Sequence, residues 1–248
     1  MRRLIGFLLL FVLPGVACTF EFQMPPQAAK QTEIPGATLA PLTVNMPGNT
    51  QVLEGPNIHY NGIRFTLDPA FGSRLYVFGD VTTLDGSTAQ ATRFALTPEE
   101  YCQTWCLIVY PVAQFKQAFG SFVFPPAGYR GGAAVIFRAQ ERALSFENGG
   151  GDRALEIFGQ SHYGASNESL KYVFRGYSAD NQYGIFVQIP THAAGLPDVA
   201  PTITTNPPEI LEYNRQAAQS INGLKPADFT PNLDLSDTLV ASIRVETP

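Results

Sequence analysis

Charge is the first thing this sequence is short of. Its 248 residues carry 16 Lys+Arg against 21 Asp+Glu, and charged residues make up only 15% of the chain. A sparsely charged, acidic surface does not attract phosphate backbones, which excludes nucleic-acid binding from the expected functions. Long apolar runs are lacking too. Leu4 to Leu13 is apolar apart from Gly6, but it reaches only about half of the ~20 residues a helix needs to cross a bilayer. A retained transmembrane anchor is therefore not expected. Histidine is rare: His59, His162 and His192 are scattered, with no H-x3-H or H-E-x-x-H spacing, so zinc catalysis has no support. Neither a metal nor a cofactor is predicted.

What is present at the start is a leader. Met1-Arg2-Arg3 is positive, the apolar run follows, and Pro14-Gly15-Val16-Ala17 leads to Cys18. This order of charged, apolar and small residues is the plan of a secretory signal peptide over 1–17. Val16-Ala17-Cys18 resembles the lipobox of bacterial lipoproteins, which implies lipidation of Cys18 and attachment to a membrane on its extracytoplasmic side. Ordinary cleavage after Ala17, releasing a soluble protein, is the alternative. An odd cysteine in an exported chain asks which thiol is left over. There are three in the sequence, and lipidating Cys18 leaves Cys102 and Cys106 to pair. Residues 18–50, rich in Pro, Gln, Ala and Thr, form an anchor-to-domain tether, and 51–248 form one domain. Removing 1–17 loses two arginines, so Lys+Arg falls from 16 to 14 against 21 acids, a balance of −7.

Elements can be placed by period and punctuation. Asn57 to Leu67 alternates, with Ile63, Phe65 and Leu67 on one strand face, and Leu75 to Val81 is a buried strand. Thr97-Pro98-Glu99-Glu100 is a helix start, Leu107 to Tyr110 a strand, and Pro111 opens a helix through Val112, Phe115 and Phe119 to Gly120. Residues 140–148, 152–163, 170–177 and 182–190 are strands separated by short turns, predicting an antiparallel meander over about 140–190. Tyr172 and Phe174 share one side, and Tyr183, Ile185, Val187 and Ile189 share the side facing the core. Two C-terminal helices follow, one from Asn206-Pro207-Pro208-Glu209 to Gly223 and one over Leu233 to Ile243. Strands and helices are segregated, so the predicted class is α+β: an antiparallel sheet with flanking helices.

Tyr110-Pro-Val-Ala-Gln-Phe115, Leu144-Ser-Phe-Glu-Asn-Gly149, Tyr172-Val-Phe-Arg-Gly-Tyr177 and Tyr183-Gly-Ile-Phe-Val-Gln-Ile-Pro190 resemble stretches of a family of secreted bacterial lipoproteins with no assigned activity. Phe229-Thr-Pro-Asn-Leu233 and Leu239-Val-Ala-Ser-Ile243 resemble it as well. The strand near Phe65 and the terminal helix are similar to PsbP-like α/β/α sandwiches, a likeness of fold that carries no activity.

Chemistry-bearing constellations are few. Cys102-Gln-Thr-Trp-Cys106 is C-x3-C, neither the redox nor the zinc spacing. A structural disulfide fixing the chain around Trp105 is expected there. Ser161 and His162 are adjacent on a strand and point to opposite faces, so they do not form a nucleophile and base together. Gly149-Gly150-Gly151-Asp152 is expected to be a hairpin turn rather than an anion cradle. Glu141, Glu147, Asp152 and Glu156 are expected on a solvated strand face. The aromatics Tyr172, Phe174, Tyr183 and Trp105 are the candidate ligand-binding side chains, with core packing as their ordinary role. The expectation is a non-catalytic envelope module that binds another envelope protein or a small apolar ligand. A hydrolase whose site only the fold assembles, and a structural subunit of an envelope complex, remain the alternatives.

Overall fold

Turn residues between alternating segments divide this chain into short strands. The computed structural model describes residues 51–79, 81–82, 88–98, 105–119, 134–159, 161, 163–201 and 207–246, all within the unit Asn45–Pro248. The leader, Cys18, the tether, Cys102, His162, and the expected helix after Pro98 lie outside the described residues.

In chain order the first strands are β1 (Gln51–Glu54), β2 (Asn57–Tyr60), β3 (Ile63–Thr66), β4 (Arg74–Phe78), β5 (Val81–Thr82), β6 (Thr88–Ala89), β7 (Thr92–Ala95) and β8 (Cys106–Pro111). Helix α1 (Val112–Phe119) leads to β9 (Ala134–Phe146), β10 (Gly149–Gly159), β11 (Lys171–Ser178), β12 (Tyr183–Pro190) and β13 (His192–Ala193). The chain closes with α2 (Pro207–Asn222), β14 (Phe229–Thr230), α3 (Leu233–Ala241) and β15 (Arg244–Val245). An eight-stranded antiparallel sheet runs β1-β4-β7-β8-β12-β11-β10-β9, and a smaller sheet runs β15-β3-β2. The class is α+β, with β structure dominant.

Three local expectations are corrected. Asn57 to Leu67 is not one strand: Asn61 (φ 48°) and Gly62 (φ 72°) turn it into the β2–β3 hairpin. Asn-Gly suits that turn because both central residues need positive φ. The three glycines at 149–151 are not a turn. The chain reverses at Glu147-Asn148, and the glycines pair in β10 with β9 and β11. They are small because neighbours press on them: a Cβ on Gly149 would strike the Phe146 ring, and one on Gly151 the Arg175 carbonyl. Finally, Tyr172 and Phe174 lie on the same face as Ile185, Val187 and Ile189, because Tyr172 pairs with Ile189 and Phe174 with Val187.

That shared face is the main core. Tyr172, Phe174, Leu107, Ile185, Val187 and Leu155 are buried there with Ile63 and Phe65 of the small sheet and Ile221, Leu239 and Val240 of the C-terminal helices. The opposite face buries Cys106, Ile108, Tyr110, Val173 and Phe186 with Phe115 of α1. The central strands β8 and β12 are therefore apolar on both sides, as sheets covered on both faces are.

A bulge in β9 docks the first C-terminal helix. Opposite Arg153 and Leu155 the β9 register slips from Arg142 to Ala139, and Gln140 takes φ 53°. Its N–H donates to Asn222 Oδ1 (2.6 Å), and its side-chain amide donates to the carbonyls of Ile221 (2.8 Å) and Leu224 (3.1 Å). The bulge thereby caps the chain leaving α2, adding a second donor to the Ile221 carbonyl, which also accepts from the Leu224 N–H (3.0 Å), and binding the Leu224 carbonyl just beyond the helix. At mid-helix the buried Asn214 accepts from the Ala165 N–H (2.8 Å) and donates to the Tyr163 carbonyl (3.0 Å). Among the described residues no helix is long and apolar enough to cross a membrane.

Candidate functional site

The two sheets part at one end, and a cleft of about 580 Å³ opens between them. One wall belongs to the large sheet: Thr92, Val109, Pro111 and Tyr183, on β7, β8 and β12. These sit side by side because Thr92 pairs with Val109 and Tyr183 with Pro111. The other wall is the small sheet, with Tyr60 and the Asn61-Gly62 turn from the β2–β3 hairpin and Val245-Glu246 from the C-terminal strand. Phe78, Gly79, Gln90 and Ala91 complete the lining where the β4–β7 ladder breaks. Phe78 pairs with Arg93 and Val81 with Ala89, so the returning chain has one residue more between these rungs. An irregularity of this kind bends the strands and re-aims side chains at the rim of a site.

The walls are held firmly. Tyr60 packs edge-on against the buried Phe94 ring, with centroids 6.2 Å apart. The Glu246 N–H donates to the Gly62 carbonyl at 2.7 Å, tying the last strand to the hairpin turn. On the opposite wall the β11–β12 turn is locked around Asp180. Its carboxylate accepts from the Ser178 hydroxyl (2.6 Å) and the Gln182 N–H (3.0 Å), while the Ser178 oxygen accepts from the Tyr183 N–H (3.0 Å). These bonds, that from Ser178 foremost, hold Asp180 below the usual carboxylate range. Tyr60 and Tyr183 therefore sit half-buried on fixed backbone, one on each wall.

Electrostatically the cleft is nearly bare. Among the described residues no lysine or arginine lines it, and the one carboxylate among them, Glu246, lies 3.5 Å from Arg244 and 4.0 Å from Arg64. The side chains of Asn61, Gln90 and Thr92 have no hydrogen-bond partner among the described residues. They offer donors and acceptors of no net charge.

Several charged groups elsewhere are drawn into ion pairs. Glu156 is not on a solvated face as expected: it is 1% exposed, its two oxygens accept from Arg175 at 2.9 and 2.8 Å, and Arg138 lies 3.4 Å away. Glu147 pairs with Arg64 at 2.9 Å. On the core side, Asp237 of α3 accepts from the Tyr172 hydroxyl (2.9 Å) and the Arg153 Nε (3.3 Å), and Arg153 also donates to the Gln140 carbonyl. Burial, and then the Asp237 carboxylate, hold the Tyr172 phenol well above its ordinary pKa. Among the described residues no group of three or more His, Cys, Asp or Glu is placed to hold a metal ion.

Of the candidate ligand-binding aromatics, only Tyr183 reaches the cleft. Tyr172 and Phe174 are completely buried in the core and have no surface to offer a ligand. Trp105 is 3% exposed, packed near Phe71, with its indole N–H unpartnered among the described residues. Cys106 is buried at the start of β8, opposite Ala95 and Gln188. His59 and His192 are exposed on separate sheets, and Ser161 is exposed. Sequence reasoning missed Tyr60, Gln90 and Thr92. The Asn61-Gly62 dipeptide was the one available signal, since it marks the hairpin that carries Tyr60 to the cleft.

No family model, no curated protein and no solved structure matches the chain. What the protein does has to be read from its own geometry.

Proposed function

We propose that this chain is an exported envelope protein, anchored by a lipid on Cys18, whose α+β domain binds a small uncharged ligand without transforming it. The order of charged, apolar and small residues before Cys18 supports export and anchoring. The observation that carries the binding role is the cleft between the two sheets. Its 580 Å³ falls within the roughly 300–1,000 Å³ of small-molecule sites. Its lining joins half-buried aromatics to uncharged polar groups, the mixture that fixes a ligand's orientation. The cleft supports a small ligand over an envelope protein as the partner, because it is concave and its walls are pinned.

Native and denaturing mass spectrometry of the protein purified from its own envelope tests both halves. The expected result is a chain beginning at a lipid-bearing Cys18, together with a mass that survives gentle ionisation and leaves on denaturation. A chain still carrying residues 1–17 would sink the export half. A protein with no retained mass that also fails to bind any compound of a broad neutral-ligand panel would sink the binding half.

A further inference from the structure

We infer that the cleft takes a neutral saccharide, held between Tyr60 and Tyr183. This rests on the cleft being a ligand site and adds the chemistry of the occupant.

Charge narrows the choice first. An anionic ligand would need a cation, and none of the described residues lining the cleft is one, in a chain whose formal charge is already −5. Among the described residues a cationic ligand would have only Glu246 to meet, and Arg64 and Arg244 already stand beside that carboxylate. The ligand is therefore neutral.

Shape and polarity narrow it further. An acyl chain or other wholly apolar ligand is best buried in an enclosed apolar cavity. This cleft is open to solvent and carries amides and a hydroxyl at its rim, on Asn61, Gln90 and Thr92, with no hydrogen-bond partner among the described residues. Burying those groups under a hydrocarbon would strip them of water and leave them unbonded. A ligand that fits must present an apolar face to a tyrosine and hydroxyls or amides around its edge. Sugar rings have that form: axial C–H groups on a face, hydroxyls on the perimeter. Tyr60 of the small sheet and Tyr183 of the large sheet both line the cleft half-buried, so a ring entering between the sheets has an aromatic side chain of each to meet. Backbone pinned by the Ser178–Asp180 turn and the Gly62–Glu246 bond keeps both in place, so little ordering is left to binding.

Saturation-transfer NMR and titration calorimetry on the intact protein test this, with maltotriose, cellotriose and diacetylchitobiose as saccharide probes and N-phenyl-naphthylamine as a neutral apolar probe. At least one saccharide is expected to bind, and Tyr183→Ala is expected to weaken it about tenfold through loss of one stacking surface. Gln90→Ala, an exposed rim position that leaves the core untouched, is expected to weaken it roughly three- to tenfold. This second variant carries the test if Tyr183→Ala fails to fold. Saccharide binding that neither variant changes would overturn the inference. So would silence of all three saccharides while the apolar probe binds in a Tyr183-dependent way, an outcome that leaves the cleft a ligand site of another class. Silence of every probe would overturn both this inference and the binding role on which it rests.

Discussion

Asp237→Ala should be among the most damaging single substitutions in the domain. The carboxylate stands on α3 and is the meeting point of a buried network. Its Oδ1 accepts from the Tyr172 hydroxyl at 2.9 Å and lies 3.3 Å from Arg153 Nε, while Arg142 lies 3.5 Å from its second oxygen. Arg153 is 3% exposed and Tyr172 is fully buried. Deleting the carboxylate leaves a guanidinium in the core that still donates to the Gln140 carbonyl, and a buried phenol that has lost its acceptor. Removing one partner of a buried ion pair costs about 3–5 kcal/mol. That is a large share of the roughly 5–15 kcal/mol that holds a domain together. Asp237→Asn, which keeps an acceptor for the phenol, should cost less, and Tyr172→Phe about 1 kcal/mol. The double variant Asp237→Ala with Tyr172→Phe should cost less than the sum, because the phenol left stranded by the first change is removed by the second. Replacing both charges, as Arg153→Met with Asp237→Leu, should be far milder than Asp237→Ala alone. Urea unfolding followed by circular dichroism measures all five variants. A loss under about 1 kcal/mol for Asp237→Ala would refute the claim that this pair is buried and interdependent.

Three other outcomes follow from the same structure. Gly151→Ala should destabilise by about 1–3 kcal/mol through overpacking against the Arg175 carbonyl. Gly150→Ala, whose Cβ would sit 3.3 Å from the Leu144 carbonyl, should be the milder of the two, and equal urea midpoints would contradict the packing described for β10. Burial raises the phenols of Tyr110 and Tyr172 above their usual range, with Tyr177 adding to the first and Asp237 to the second. A raised phenol stabilises the fold fully below the unfolded value near 10 and loses that contribution as pH climbs above it. In an ultraviolet titration of the ten tyrosines, these two should ionise only as the circular dichroism signal of the fold is lost; ten reversible ionisations in a folded protein would count against their burial. Glu212, bonded by Arg215 and Gln216, is held down to about 2. A depressed carboxylate contributes above its unfolded value of about 4.3 and loses the contribution as pH falls towards 2. Carbon-detected NMR of the side-chain carboxyls should show that late titration, moving upward in high salt; a midpoint near 4 at low salt would show that the contact does not persist in solution.

The candidate site was less legible in the sequence than the strands around it, for reasons visible at particular residues. Tyr172 and Phe174 stand in a dense aromatic stretch, and alternation says only that they share a face. That the face is the core depends on which side of the sheet α3 and the small sheet cover. Tyr60 looks like the interior of one alternating strand until Asn61-Gly62 is taken as a hairpin turn, which makes it the end of β2. The glycines at 149–151 have the composition of a loop, but close approach of the Phe146 ring and the Arg175 carbonyl is what requires them. Glu156 lies in an alternating strand of mixed polarity, and nothing in its neighbours in sequence announces that Arg175, 19 residues on, will bury it.

The sequence by itself determined the class α+β and the run of antiparallel strands through its middle. It also marked helix positions at the C-terminal end, because each depends on residues a few places apart: period-two alternation, turn dipeptides, proline at a helix start. Tertiary structure alone decided which strand face is buried, where β9 bulges, and how α3 is tied down. The bond from Arg153 to Asp237 spans 84 residues of chain, and no local pattern encodes a contact at that separation. The cleft is the extreme case. Its walls come from strands distant in sequence, β7, β8 and β12 of the large sheet on one side and β2, β3 and β15 on the other, and the strands of the small sheet come from near the two ends of the domain. Only the packing of one sheet against the other brings Tyr60 and Tyr183 to face a common space.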